Sequence, residues 1–386
     1  MNSNICHLCG GDLYAQPLLR LDRMPKAAQY YPDKAEFSGD KGITLEIRQC
    51  SACALVQLNA APVEYFREVI TAASFSEKTK AFRLAQMTEF TDRFGLRGGK
   101  ILEVGSGRGE MLDVIAAAGA RAVGLEASAA SVAAGRAAGR EMIEGYIGDQ
   151  AALPGQPFDA FVSLNYLEHL PEPGRIIRRI HASTAPGAVG FVTVPNLEYL
   201  LRTKCFYEFV SDHLSYFTRK TLAHAFESNG FDVLDCRLIN EDNDIAVTVK
   251  KRAPLDLAGQ FADVETLIAQ LRRVVAGYRA RGETVAVWGA GHRTLALLAL
   301  AELGEIAYIV DSAKFKQGKF SPVLHLPIAA PEQLKTAPVD LVIVMVPGLY
   351  PGEVLKALAR LETGAQVAAL RDNKIEFIEV EKGAGL

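Results

Sequence analysis

The chain has 386 residues, 49% of them hydrophobic and 23% charged, with a formal net charge of -3. That length exceeds one ordinary core and predicts two or three domains, and the charge gives no electrostatic reason to expect a nucleic-acid partner. No apolar run reaches the roughly 18 residues that a membrane span requires, and the start Met-Asn-Ser-Asn-Ile-Cys has neither a basic nor an apolar leader region, so a cytoplasmic protein without a membrane partner is expected.

Taken in order, residues 1–70 are turn-rich around a short alternating segment at Ile43–Arg48 and predict a small domain. A helix is expected over about 75–95, then a strand at Lys100–Val104. Further short apolar runs follow at Val123–Leu125, Phe158–Ser163 and Ala188–Val194, separated by helical stretches. This alternation predicts a largely parallel sheet with helices on both faces across 71–253. Pro254 to Arg281 reads as a helical connector, with Leu267, Leu271, Val274, Val275 and Tyr278 on its apolar side. The alternation then restarts at Thr284–Trp288, Ile306–Val310 and Leu341–Val346, so 254–386 is expected to be a second Rossmann-like α/β domain.

Six cysteines are too few for a disulfide scaffold in a chain of this length. Four of them form two Cys-x-x-Cys turns, Cys6/Cys9 and Cys50/Cys53, which is the spacing of a closed four-thiolate zinc site. With every coordination position filled by sulfur, the metal's role is structural rather than catalytic. His7, inside the first turn, reads as a bystander, and Cys205 and Cys236 as ordinary thiols at or near the core.

The run Glu103-Val-Gly105-Ser-Gly107-Arg-Gly109 follows a strand and opens a helix. Glycines there let the chain turn sharply and let a ligand approach the backbone. The order E-x-G-x-G-x-G differs from the dinucleotide fingerprint and favours S-adenosylmethionine, with Glu103 anchoring the loop or, through water, the cofactor's ammonium. Glu126 ends the second strand, where an acid can accept from both ribose hydroxyls. Asp149 is placed for the adenine amino group, and the segment Ser163-Leu-Asn165-Tyr-Leu-Glu168-His169-Leu-Pro171 borders the transfer cleft, with Asn165 on the cofactor side.

Over about 95–250 these features resemble class I S-adenosylmethionine-dependent methyltransferases. With the cysteine turns, the stretch Asp212-His213-Leu-Ser-Tyr216-Phe217, and Gly289-Ala-Gly291 followed by Asp311 and Lys316-Gln-Gly-Lys319, the whole chain resembles the three-domain sugar C-methyltransferases. The resemblance implies a nucleotide-linked 4-keto sugar as small-molecule substrate, methylated at a carbon next to the ketone. It also implies an acid-His pair, Asp212 and His213, supplying the base, and a second imidazole, His169, near the sugar or its developing oxyanion. A neutral imidazole, with an ordinary pKa near ~6.5, suits removal of a C–H proton beside a ketone. The plainer readings are also open: Thr218 as the N-cap of a helix entered from His213, Tyr216 and Phe217 as core, and His181 and His224 as surface or half-buried helix residues. In the family a Tyr precedes the acid-His pair where Val210 stands, the acid is usually Glu, and a further Tyr lies where 71–76 has none. In the last domain Thr294 replaces the third glycine of a dinucleotide loop, so packing, or phosphate contact through Arg293 and Lys314–Lys319, is expected rather than a redox cofactor. O- or N-methylation of another metabolite, and a non-catalytic binding module, are the alternatives.

Overall fold

The computed structural model describes residues 4–68, 76–348 and 350–379. The chain divides into two compact units, Met1–Pro254 and Leu255–Leu386. In the first, the strands are β1 (Leu19–Met24), β2 (Ile43–Gln49), β3 (Val56–Leu58), β4 (Lys100–Val104), β5 (Arg121–Glu126), β6 (Met142–Glu144), β7 (Phe158–Leu164), β8 (Thr184–Pro195), β9 (Ser215–Tyr216), β10 (Phe231–Ile239) and β11 (Asp244–Lys251). Its helices are α1 (Glu77–Arg93), α2 (Glu110–Ala117), α3 (Ala129–Ala137), α4 (Pro173–Ser183), α5 (Leu197–Thr203) and α6 (Arg219–Glu227).

Seven strands form the main sheet in the order β10-β11-β8-β7-β4-β5-β6. The central ones are almost continuously buried, as strands covered on both faces must be. Leu102, Val104 and Phe161 face α4 and α6, through Ile176, Ile180, Leu222 and Phe226. Ile101, Ala160 and Val162 face the other way, onto Met87 and Phe90 of α1 and Val114 and Ile115 of α2. β4 to β8 are parallel, but β11 runs antiparallel to β8 and β10 antiparallel to β11. This hairpin was not among the predicted strands. Its turn holds Asn240, Glu241 and Asp242 at φ 52, 56 and 69°, a left-handed run that Asn and Asp tolerate better than most residues. Because β5 and β7 leave β4 on opposite sides, a crevice opens at the carboxyl ends of β4 and β7.

The cysteine-bearing segment has no core to itself among the described residues. Its strands make a second, antiparallel sheet, β1-β2-β3-β9, whose last member comes from far along the chain. Leu58 N–H also donates to the Leu214 carbonyl at 3.0 Å. Cys6, Leu8, Leu13, Cys50 and Leu55 pack in the same cluster as Leu102, Phe161 and Phe217. Residues 4–68 therefore form one compact unit with the parallel sheet. Phe217 and Tyr216 are buried, and Thr218 caps α6 in a reciprocal box with Thr221. His181 is half-buried and His224 exposed, and Cys205 and Cys236 are half-buried, part-way between core and surface.

The second unit contains α7 (Leu257–Ala280), β12 (Val285–Trp288), α8 (His292–Leu300), β13 (Tyr308–Val310), β14 (Ile328–Ala329), α9 (Gln333–Thr336), β15 (Leu341–Val344), α10 (Tyr350–Leu361), β16 (Gln366–Arg371) and β17 (Lys374–Ile378). Its sheet runs β14-β13-β12-β15-β16-β17, parallel except for β17. The predicted connector is α7, and it is a core element: Leu267, Leu271, Val275 and Tyr278 pack on Val287, Ile309 and Ile343. Gln270 holds the edge strand at both polar ends, donating to the Ile375 carbonyl (3.1 Å) and accepting from its N–H (3.3 Å). No described helix is long and apolar enough to cross a membrane.

Candidate functional site

The two cysteine turns are built alike. Cys6 N–H donates to Gly11 O and Cys50 N–H to Leu55 O. Each turn ends on a left-handed residue, Gly10 (φ 75°) and Ala54 (φ 62°). Backbone N–H groups of Leu8, Gly11, Ala52 and Cys53 point at sulfurs at 3.3–3.4 Å. The four Sγ atoms lie within 4.8 Å of one another, with Cys6–Cys53 at 3.5 Å and Cys9–Cys50 at 3.6 Å. A zinc tetrahedron with bonds of about 2.3 Å has edges near ~3.8 Å, close to these two separations, so the cluster fits the metal. His7 lies outside this cluster, its Nδ1 buried without a partner.

At the crevice, Gly105 has φ 75°, and a Cβ there would meet the Tyr166 ring at 2.5 Å. Gly105→Ala is therefore expected to weaken S-adenosylmethionine at least ~10-fold by calorimetry and to destabilise the fold by about 1–3 kcal/mol, since both a strained backbone and a clash are introduced. Unchanged affinity would count against this loop as the cofactor seat. Gly107 N–H donates to Glu126 Oε2 and Ser128 N–H to Oε1, both at 2.9 Å, so Glu126 fastens the loop from the end of β5. Gly109 begins α2 from a left-handed conformation. Glu103 is almost fully buried at the end of β4, and its Oε2 has no hydrogen-bond partner. Burial first, then Glu110 and Glu126, holds its carboxyl well above the usual range. An enclosed carboxyl lacking a donor fits a ligand ammonium.

Two other expected cofactor residues are engaged differently. Asp149 is half-exposed and pairs with Arg67 Nη1 at 3.2 Å. Asn165 accepts from Thr193 Oγ1 (2.7 Å) and donates to Asp244 Oδ1 (3.3 Å), tying the ends of β7, β8 and β11. Each end of its amide thus holds one bond to the sheet, leaving one lone pair and one N–H for the cofactor side on which it was expected.

His169 and His213 meet edge to face with ring centroids 4.7 Å apart. The first comes from the 3-10 turn Leu167–His169 after β7, the second from the segment before β9. Leu214 N–H donates to Glu168 O at 2.8 Å, which locks the two segments together. His169 Nδ1 lies 2.9 Å from the Asp212 carbonyl oxygen. Burial lowers both imidazoles, His213 to about 3 with His169 adding, so each is neutral near pH 7. Behind them Glu168 is 2% exposed, and burial, with Asp244 adding, pushes its carboxyl up to about 8. The Asp212 carboxylate does not orient the His213 ring by a hydrogen bond. It accepts from Ala28 N–H at 2.7 Å and from the Tyr65 hydroxyl at 2.6 Å. Tyr65 is the residue that sequence reasoning missed as part of the site, and Glu168 was placed by it only within the segment bordering the cleft, without a role. The stretch searched for a tyrosine lies, over 71–75, outside the described residues, whereas the tyrosine that reaches Asp212 is at 65. Tyr65→Phe leaves a buried carboxylate short of a donor, which costs about 1.5–3 kcal/mol and lowers kcat about tenfold; thermal unfolding and steady-state kinetics check it.

In the second unit a cleft of about 610 Å³ at the strand ends is lined by Trp288, Arg293, Asp311, Lys316 and Tyr350 among others. Asp311 accepts from Ala290 N–H and Ala313 N–H, each at 2.8 Å, and from Lys316 Nζ at 2.9 Å. Thr294, buried, donates to Met345 O at 2.9 Å, which explains a hydroxyl where a dinucleotide loop has glycine.

Comparison with known proteins bears on the whole chain. Residues 79–235 match the family described as Methyltransferase domain, and 253–369 match the C-methyltransferase C-terminal domain. The chain is 27% identical to the C-methyltransferase NovU of Streptomyces niveus over 361 residues, 85% of this chain and 86% of that one. It is 33% identical over 114 residues to the ubiquinone biosynthesis O-methyltransferase of Pseudomonas aeruginosa (strain UCBPP-PA14), 27% of this chain and 48% of that one. Among solved structures, magnesium protoporphyrin IX methyltransferase from Synechocystis PCC 6803, with bound SAH, aligns with a TM-score of 0.39 at 14% identity, covering 49% of this chain and 97% of that one. The tandem of matched domains and the near full-length likeness to NovU place the protein in a C-methyltransferase family built on a class I S-adenosylmethionine-dependent core.

Proposed function

We propose that this methyltransferase alkylates a carbon next to the keto group of a nucleotide-linked sugar, with His213 as the group that takes the carbon-bound proton. The observation that carries the reading is the pair of neutral, half-buried imidazoles at the carboxyl end of β7, beside the crevice that the glycine loop borders. Neutral rings can accept a proton at physiological pH, and a second ring can donate to or order the oxygen on which charge develops. S-adenosylmethionine supplies an electrophilic methyl on sulfur, so no metal is needed at the carbon. Glu103 and the backbone of 105–109 would hold that cofactor, Glu126 would hold the loop and reach its ribose, and Asp149 would lie toward its adenine. The four cysteines would hold a structural zinc, and thiolate ligands of this kind suit the reducing cytoplasm.

The test is solvent deuterium. Enzyme incubated in deuterated buffer with a nucleoside-diphosphate 4-keto sugar and S-adenosylhomocysteine exchanges hydrogen beside the ketone. With S-adenosylmethionine a new C–C bond follows. Methylation of an oxygen with no exchange at carbon would replace the enolate reading by O-methylation.

A further inference from the structure

We propose that Glu168 is the final holder of the proton removed from carbon, standing behind His213 and His169 and acting through them. The inference rests on the reading of the imidazole pair given above and adds to it a positioning residue that never touches the substrate.

The argument begins with a tautomer. His169 Nδ1 faces the Asp212 carbonyl oxygen at 2.9 Å, and a carbonyl only accepts, so Nδ1 carries the hydrogen and the neutral ring keeps its lone pair on Nε2. That Nε2 faces Glu168 Oε1 at 3.9 Å. Two lone pairs opposed across this gap repel when the carboxyl is ionised. One added proton makes the same pair an acid and a base, which become hydrogen-bonded once the gap closes to about 3 Å. The other oxygen, Oε2, is enclosed and without a hydrogen-bond partner, and against burial only Glu168's own backbone N–H favours the ionised form.

Three polar groups, Glu168, His169 and His213, offer atoms that all lie within 4.8 Å of one another. A proton taken by His213 therefore has a short route to the His169–Glu168 pair. The imidazolium of His169 would then donate through Nδ1 to Asp212 O and through Nε2 to Glu168, with both hydrogens satisfied.

The charge environment agrees. Among the described residues, the groups bearing on Glu168 are Asp244 at the start of β11, His169 and His213 within 4.8 Å of it, and Tyr216 on β9, with no lysine or arginine among them. Burial leaves His213 at about 3, a poor resting place for a proton, while it pushes Glu168 to about 8. Base strength in this site thus resides on the carboxyl and access on the imidazole.

The balance is simple. The C–H bond breaks, its proton moves to His213 and on to the His169–Glu168 pair, and its electrons form the enolate. As the new C–C bond forms, the S–C bond to the methyl breaks and sulfur keeps that electron pair. The pair then releases one proton to solvent, the single proton the overall reaction produces.

The active form is the ionised carboxyl. Activity is therefore full above the raised pKa and falls as pH drops through it, about tenfold per unit below ~8. The test uses the full-length, zinc-loaded protein. Nitrogen-15 signals of His169 are expected to show the Nδ1–H tautomer, with an Nε2 signal that titrates near pH 8 in the wild type and not in Glu168→Gln. In parallel, deuterium exchange into a nucleoside-diphosphate 4-keto sugar should rise to a plateau above pH 8. In E168Q it should lie about 100-fold below that plateau and lose the step, whereas Glu168→Asp should recover a step at a shifted pH.

If E168Q does not fold, the wild-type titration and E168D carry the test alone. An Nε2–H tautomer, a titration that survives E168Q, or wild-type exchange indifferent to pH through 8 overturns the proposal. So does a second equivalent of zinc bound by Glu168, His169 and His213. Wild type that exchanges no deuterium at any pH, yet shows the E168Q-sensitive titration, instead removes the keto-sugar reading on which the proton's origin depends.

Discussion

Replacing His213 with Ala lowers kcat by about 10²–10⁴-fold while leaving the dissociation constant for S-adenosylmethionine unchanged. The range is that of general-base groups removed from other active sites. The split between the two parameters follows from position. His213 comes from the segment before β9, on the acceptor side, and none of its hydrogen bonds involves the glycine loop of 105–109. Its own N–H bonds Val210 O at 3.1 Å, a backbone contact that Ala retains, so the loop should keep its path. Steady-state kinetics with isothermal titration of the cofactor measure both. A variant with full kcat means that some other group takes the proton, and a variant that also loses cofactor affinity means the side chain is architectural.

Removing the zinc proposed for the four cysteines has the second large effect, and on stability. Chelation, or Cys50→Ser, is expected to lower the melting temperature of the first unit by about 10 °C or more, because structural zinc contributes several kcal/mol of folding free energy and each kcal/mol moves a unit of this size by roughly 2–4 °C. The reason lies in the shared core. Cys6 and Cys50 pack among Leu102, Phe161 and Phe217, so loosening the turns opens the parallel sheet and not merely an appendage. Activity should go with it, although the proposed zinc would be structural. The path is β3, whose Val56 and Gln57 pair with Tyr216 and Ser215, three and two residues after His213. The second unit has cores of its own and should keep its transition. Scanning calorimetry with metal analysis checks this, and an unshifted transition in metal-free protein would falsify it.

The parallel strands and the glycine loop were legible because they are local. A run such as Lys100–Val104 is buried on both faces and reads as continuous apolar sequence, and a loop that needs left-handed backbone at Gly105 and Gly109 must spell it with glycine. α7 was legible as a helix but not as a core element, since its partners, Val287, Ile309 and Ile343, lie well beyond it in the chain. The β10–β11 hairpin carried a readable signal in Asn240-Glu-Asp-Asn243, but its strands alternate weakly: only Phe231 is fully buried in β10. Tyr65 was missed because nothing near it in sequence is catalytic. It acquires meaning only across 147 residues, where it meets Asp212.

Sequence alone determined which chemistries the chain carries: four thiols at knuckle spacing, a glycine turn after a buried strand, and imidazoles at 169 and 213. Those are properties of residue type and short-range spacing, which a linear string preserves. Tertiary structure decided how they are used. It turned the Asp212 carboxylate to Ala28 and Tyr65 rather than to His213, tied Asn165 to strand ends, and buried Glu168 behind two neutral rings. Direction and burial are set by contacts between segments far apart in the chain, and the ionisation of a carboxyl follows from burial more than from its neighbours in sequence.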